Sequence, residues 1–354
     1  MFNKSWLIQL AESISLYKPE FDKKGFVKNT LAGFAERELN DRMRHTSNML
    51  HQYLDGPFNH NLEILQKTVV HMPPGYTNLV FPDYVSVFGL NESDSSLSAL
   101  HYFTRFGSSE FAIRVFLKND FKKTLSVMKK WAKDENEHVR RLASEGSRPR
   151  LPWSFHLPQI IQQPSYTLPI LKMLVTDDAP YVRKSVANLL NDISKDHPDV
   201  TLQFAKQHLG IKPETDKLLK HACRTLLKAG NNAALGIFGT AHNEDLELTF
   251  FELSKDQVKN GQKLSFSFGV KNNGIEKAQL RCEFALYFLL LNGSHYRKIF
   301  KISERSLVAG EEIHLNKSFS FRPITTRQYR PGKHKLSIVI NGVEKACLDF
   351  TLLP

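Results

Sequence analysis

The sequence predicts an all-α repeat solenoid followed by an all-β sandwich, and three observations carry that expectation. Over the first 240 residues apolar side chains recur at steps of three and four, as in Trp6, Leu7, Leu10 and Ile14. Residues 124–145 (TLSVMKKWAKDENEHVRRLASE) repeat at 167–188 (TLPILKMLVTDDAPYVRKSVAN), 43 positions on. From Leu246 onward the apolar residues alternate instead, between regularly spaced turn signals.

The helical part begins with about 90 residues of generic amphipathic helix. Short breaks at Asp55-Gly56-Pro57, Pro73-Pro74-Gly75 and Gly107-Ser108-Ser109 interrupt the periodicity. In the repeat, Thr124/Thr167, Leu125/Leu168, Lys129/Lys172, Asp134/Asp177, Val139/Val182 and Arg140/Arg183 are identical pairs. A looser third copy opens at Thr201-Leu202 and closes with LLKHACRTLLKAG, 218–230. Each copy reads as a helix, an acidic turn and a second helix. The period fits the roughly 40–47 residues of HEAT and armadillo repeats. No helix pair can bury its apolar face alone, so neighbours stack into a HEAT-like solenoid. The second helices, expected to line the concave face, begin near Glu110, Glu137, Pro180 and Thr215.

The segments LELTFFEL, KLSFSFGV, QLRCEFALYFLLL, IHLNKSFSF, HKLSIVI and ACLDFTLL then predict six or seven strands. Asn-Gly and Pro-Gly turns separate them, and the count and spacing suggest an immunoglobulin-like sandwich. No Cys…Trp…Cys spacing of the antibody type is present. The expected domains are 1–240 and 241–354, joined by a hinge over Ala229–Gly236.

Composition narrows the function. The chain has 354 residues, 41% hydrophobic and 24% charged, which is ordinary for a globular protein and excludes collagen-like or disordered classes. Three cysteines without metal-ligand spacing fit a reducing compartment. The longest apolar run, Phe284–Leu291, is strand-length rather than membrane-spanning. The N-terminus carries no signal-peptide pattern, so a cytoplasmic location is expected. A formal charge of +12 favours a polyanion partner, nucleic acid first, the alternative being a merely basic soluble enzyme. Positive charge is densest from Ile113 to Trp153.

The stretch RRLASEGSRPRLPW (140–153) stands out. Gly146, Pro149 and Pro152 stop a helix that its repeat counterpart continues. Glu145 is thereby left at a helix C-terminus, the end at which the macrodipole repels a carboxylate. It sits among Arg140, Arg141, Arg148 and Arg150, either as a functional acid or as an ordinary surface ion pair. Trp153 follows, either as an exposed stacking face or as a cap on the solenoid core. Asp192 lies one turn beyond Asn188, the repeat equivalent of Glu145, so it faces the same groove or is simply solvated. Glu110 reads from the residues alone as a first-turn acid complementing a helix dipole. There is no P-loop, GxGxxG, CxxC, HExxH or GxSxG pattern. Neither a cofactor nor a metal is expected.

Taken together, the repeats, ASEGSRPRLPW (143–153), VRKSVANLLNDISKDHPD (182–199) and the C-terminal sandwich resemble the AlkC-type DNA alkylation repair glycosylases, relatives of the AlkD type. The resemblance covers essentially the whole chain, the first 90 residues only as generic helices. It implies excision of 3-methylcytosine and 3-methyladenine from double-stranded DNA by hydrolysis of the N-glycosidic bond, without base flipping. It also implies catalytic groups at Glu110, Glu145, Trp153 and Asp192. Arg141, Arg148, Arg150, Arg183 and Lys184 are then expected to bind DNA. Arg327 and Arg330, in RPITTRQYRPGK, are expected to join them from a sandwich that clasps the duplex. A monomer without metal or membrane attachment is expected. The alternative from another class is a non-catalytic HEAT-repeat scaffold that binds DNA or protein.

Overall fold

A computed structural model describes residues 1–323 and 329–354. They form two compact units, Met1–Thr201 with His208–Ala222, and Leu202–Gln207 with Cys223–Pro354. No helix among the described residues is long and apolar enough to cross a membrane.

Six helices open the first unit: α1 (Lys4–Ser15), α2 (Lys23–Leu31), α3 (Leu39–Leu54), α4 (Phe58–Val69), α5 (Val80–Phe88) and α6 (Ser93–Phe103). The repeats follow as α7 (Glu110–Asn119), α8 (Phe121–Trp131), α9 (Glu137–Glu145), α10 (Pro158–Gln162), α11 (Leu168–Leu174), α12 (Pro180–Ile193), α13 (Pro198–His208, of which Leu202–Gln207 group with the second unit) and α14 (Pro213–Ala222). The second helices of the copies thus start at Glu110, Glu137, Pro180 and Pro213, the last one turn-half earlier than Thr215. Local chemistry sets these starts. Asp120 and Asn136 cap α8 and α9 by accepting from the backbone N–H groups of Lys123 and His138. Pro180 occupies the first turn of α12, where its missing N–H costs nothing.

The identical repeat pairs have one physical job. Arg140 Nη1 donates to the carbonyls of Asp134 (3.0 Å) and Glu135 (2.8 Å). Arg183 Nη1 donates to those of Asp177 and Asp178, both at 2.8 Å. Each arginine therefore staples the acidic turn that precedes its own helix. Arg140 also pairs with Asp177 of the next copy at 2.7 Å, tying adjacent repeats together. Buried Ser144 and Ser185 share a 2.7 Å hydrogen bond where α9 packs on α12.

The second unit contains α15 (Arg224–Lys228), α16 (Asn232–Ile237) and eight strands among the described residues: β1 (Leu246–Leu253), β2 (Gln257–Lys259), β3 (Lys263–Asn272), β4 (Ala278–Leu289), β5 (His295–Leu307), β6 (Glu312–Ser320), β7 (Gly332–Ile340) and β8 (Val343–Leu353). They build a three-stranded sheet, β1-β3-β6, and a five-stranded sheet, β2-β8-β7-β4-β5. All neighbours are antiparallel except β2 and β8. Leu264, Phe266, Phe268 and Val270 of β3 meet Leu280, Cys282, Phe284 and Leu286 of β4 in one apolar core.

Three expectations change here. The strand count among the described residues is eight because β2 is only three residues long and β5 is an edge strand with a single buried residue, whose polar residues fall on both faces. The apolar run Phe284–Leu291 overshoots its strand: Leu290 and Leu291 lie beyond β4 and are 42% and 82% exposed. The expected hinge over 229–236 instead contains most of α16 and packs on the β7–β8 turn. At Gly230, φ is +72° and a Cβ would come within 2.8 Å of the Gly342 carbonyl oxygen, so glycine is required twice over. The helical residues after Ala222 accordingly group with the sandwich, upstream of the 240/241 boundary read from sequence.

Candidate functional site

Helix α9 stops at Glu145, and Gly146, still in helical dihedrals (φ −64°, ψ −27°), is where its end packs most tightly. A Cβ on Gly146 would lie 2.5 Å from Ile113 Cγ2 on α7 and 3.2 Å from Met128 Cε on α8. Only glycine lets the end of α9 settle this close to both helices. The chain then crosses as an irregular segment to α10, held by Arg148 N–H on Glu145 O (3.2 Å) and Leu157 N–H on Pro149 O (3.0 Å).

That crossing seats Arg148 between two buried acids. Its Nη1 lies 2.6 Å from Glu145 Oε1 and its Nε 2.8 Å from Asp192 Oδ2. Glu145 is 5% exposed and Asp192 2%. Lys195 Nζ reaches the other Asp192 oxygen at 3.0 Å. Arg141, one turn earlier on α9, pairs with Glu110 Oε2 at 2.8 Å and stands 3.9 Å from Glu145 Oε2. Ser108 Oγ donates to Glu110 Oε2 at 3.0 Å. The Arg141 guanidinium also lies over the Tyr181 ring, 4.5 Å from its centroid. Three carboxylates from α7, α9 and α12 are thus linked by two guanidinium groups. Burial alone would lower the Arg148 pKa, but the hydrogen bond to Asp192 and the charges of Glu145 and Asp192 outweigh it and raise the pKa. The cation is firmly charged, and it holds the acids where they are.

Trp153 stands on the same crossing segment, 78% exposed, with φ at +63°. The left-handed conformation is costly for a residue with a Cβ. It turns the indole toward a cavity of about 320 Å³ that Arg44, Asp83, Ser108, Phe111 and Phe155 also line.

Two family models match the chain. "DNA alkylation repair enzyme" matches residues 104–226, and "Uncharacterised protein YhaZ, C-terminal Ig-like domain" matches residues 247–354. A Bacillus subtilis (strain 168) protein, "Uncharacterized protein YhaZ", is 40% identical over 351 residues, covering 99% of this chain and 98% of its own. The structure of Pseudomonas fluorescens alkylpurine DNA glycosylase AlkC, bound to DNA containing an abasic site analogue, is 37% identical. It covers 100% of this chain and 98% of its own, with a TM-score of 0.97. The chain belongs to the AlkC-type DNA alkylation repair glycosylases.

In this AlkC-type chain the sequence-expected acids Glu110, Glu145 and Asp192 converge, and Trp153 is solvent-facing rather than a cap on the core. Four of the arginines expected to bind DNA have partners within the fold. Arg141 and Arg148, read from sequence as DNA-binding, are committed to the acid cluster. Arg150 pairs with Asp196, and Arg183 is spent on turn carbonyls, because each finds a nearer partner within the fold. Lys184 is exposed on α12 beside Lys217 of α14. Arg330 is exposed in the second unit, with its carbonyl accepting from His334 Nε2 at 2.8 Å. Arg327 lies outside the described residues. Among the described residues no group of three or more His, Cys, Asp or Glu is arranged to hold a metal ion.

Sequence reasoning missed Arg114. It is fully buried on α7 and donates to the carbonyls of Gly146 (3.1 Å), Arg148 (2.5 Å) and Phe155. It therefore pins both ends of the segment that carries Arg148 and Trp153. Burial, aided by the nearby Arg148 charge, lowers its pKa to about 10, which leaves it protonated at neutral pH. The available signal was a charge among Ile113, Phe116 and Leu117, the apolar side of α7.

Proposed function

We propose that this chain hydrolyses the N-glycosidic bond of 3-methylcytosine and 3-methyladenine in duplex DNA, acting on the sugar without flipping the base. The observation that supports this reading best is the Glu110–Arg141–Glu145–Arg148–Asp192 chain of contacts beside an exposed Trp153. Burying two carboxylates, Glu145 and Asp192, beside the half-buried Glu110 is costly, and a well-packed apolar cluster would stabilise the fold at least as well. Such a cluster fits a demand for carboxylates fixed in place by their cation partners.

The chemistry follows from the substrate. An N3-methylated base is already cationic. When C1′–N breaks, the bonding electrons leave with the base, which departs neutral, so no strong general acid is required. The sugar becomes oxocarbenium-like. Preorganised carboxylates stabilise that cation, each for a few kcal/mol. Water then adds to C1′ and gives its proton to a carboxylate or to solvent. Arg148 holds Glu145 and Asp192 in fixed positions, so these carboxylates are set in place before substrate arrives. Trp153 adds about 0.5–2 kcal/mol if its ring face meets the charged base or sugar. Lys184 and Arg330 would hold phosphates, making affinity fall steeply with salt.

The deciding experiment is base release from methylated duplex DNA, with each freed base identified by mass. Release of 3-methyladenine and 3-methylcytosine is expected. Glu145→Gln should slow single-turnover release by about 100-fold while duplex affinity holds. Duplex binding with no base released would overturn this reading and leave a scaffold.

A further inference from the structure

Helix α1 turns Trp6, Leu7, Leu10 and Ile14 into the core, and α2 does the same with Phe26 and Thr30. Each helix also carries a second, outward stripe. On α1 it runs through Lys4, Ile8, Ala11 and Glu12, and on α2 through Lys24, Val27, Lys28 and Leu31, in the steps of three and four that share one helix face. The two stripes line one groove of about 550 Å³. Its floor is apolar, and Ile8 is 39% exposed there.

The rim of the groove is basic. Lys4, Lys23, Lys24 and Lys28 are exposed, and none has a carboxylate partner among the described residues. Neighbouring acids are already occupied. Asp22 caps α2 by accepting from the Gly25 N–H at 2.9 Å, and Glu20 pairs with Lys18 at 3.3 Å. Glu12 is the single acid on the rim. Lys4, Lys23 and Lys24 also stand in first helical turns that contain no acid, the end at which the macrodipole repels a cation. Helix stability alone would place carboxylates there. Set against that preference, the lysines fit a demand for positive potential over an apolar floor.

Shape and chemistry select the occupant. Residues 4–12 and 23–31 are each about 12 Å of helix, room for two turns. A helix that anchors through i, i+3 or i+4 and i+7 presents an apolar stripe of that length. A phosphate backbone would answer the lysines but bring nothing apolar to Ile8, Val27 and Leu31, and none of the lining residues is an aromatic on which a base could stack. A flat bilayer would meet the rim and leave the concave floor wet. We propose that the α1–α2 groove docks an acidic amphipathic helix of a partner protein, with apolar side chains on Ile8, Val27 and Leu31 and carboxylates on the lysines. Packing runs from α2 through α3 and α5 before it reaches α7, the helix of Glu110, so the docked helix does not touch the acid cluster. The proposal stands apart from the glycosylase reading, since it needs neither DNA nor base release.

The test uses the full chain and a fluorescein-labelled peptide with leucine at i, i+4 and i+7 and glutamate and alanine elsewhere, read by fluorescence anisotropy. A dissociation constant of about 10 μM is expected. A peptide of the same composition with its leucines permuted should bind about tenfold more weakly. Lys24→Glu combined with Lys28→Glu should weaken the first peptide by about tenfold at low salt and by less as salt rises. That charge-reversed protein should instead prefer a peptide carrying lysine in place of glutamate. Ile8→Ser should weaken binding to the same extent at every salt concentration. All three side chains are exposed, so helical circular dichroism should match the wild type. Equal affinity for the two leucine arrangements, or no loss on charge reversal, would overturn the proposal. So would the absence of binding at about 1 mM peptide. Weaker binding of duplex DNA or of phosphatidylglycerol vesicles by Ile8→Ser, with the first peptide bound no better than its permuted form, would also overturn it and assign the groove to that surface.

Discussion

Arg148 Nε lies 2.8 Å from Asp192 Oδ2, joining the segment after α9 to the end of α12, and both side chains are almost wholly buried. The bond crosses from one repeat to the next. It makes the acid cluster a structural joint as well as a charged site.

Removing one partner should therefore unsettle the fold. Arg148→Met leaves Glu145 and Asp192 without their shared cation, and breaking a buried pair from one side typically costs about 3–5 kcal/mol. Urea unfolding followed by helical circular dichroism should show a loss of that order. Asp192→Asn, which keeps shape and one acceptor oxygen, should cost less stability yet still abolish base release. Equal stability in Arg148→Met and the wild type would mean the joint carries nothing.

Trp153 separates function from stability in the opposite direction. Its side chain is 78% exposed and its φ is +63°, so the fold gains little from the indole and bears the strain of the backbone. Trp153→Gly relieves that strain, worth about 1–2 kcal/mol before the added freedom of the unfolded chain is subtracted. The thermal midpoint should stay level or rise while excision falls. A drop in midpoint would show that the ring packs where the structure leaves it open.

Much of this was legible because repeats display function by contrast. Arg140 and Arg183 recur since both staple an acidic turn, whereas Glu145 faces Asn188 in the alignment and ends its helix early. Glu110 was not legible. An acid in a first turn looks like a dipole complement until Arg141 from α9 is placed 2.8 Å away. The partners of Arg148, Arg150 and Arg183 were not legible either, since sequence shows charge but not the nearest carbonyl or carboxylate. β5 escaped notice because an edge strand need not alternate.

Arg114 offers a test of how the site is held. Its guanidinium satisfies three carbonyls on the segment from Gly146 to Phe155. Arg114→Met would strand all three, and buried acceptors without donors cost about 1–3 kcal/mol each. Arg114→Lys keeps the charge but cannot span both ends of the segment. The lysine variant should keep duplex affinity within a few-fold and lose single-turnover rate. Matching rates in Arg114→Lys and the wild type would reduce Arg114 to packing.

The sandwich should carry its own acid sensitivity through His334. The side chain is 1% exposed, accepts from Leu289 N–H at Nδ1 (3.3 Å) and donates from Nε2 to Arg330 O (2.8 Å), a pattern that needs the neutral ring. Burial, with His295 nearby, lowers its pKa below the ordinary 6.5 despite the hydrogen bond to Arg330. In that window the unfolded chain binds the proton and the folded chain does not, so stability falls as pH drops below about 6.5 and levels off once the folded ring also protonates. Thermal melts of the wild type between neutral and mildly acidic pH should show this loss. His334→Gln keeps a donor and an acceptor without the titration, and its melting curve should be flatter over the same interval. Parallel pH profiles for the two proteins would rule His334 out as the cause.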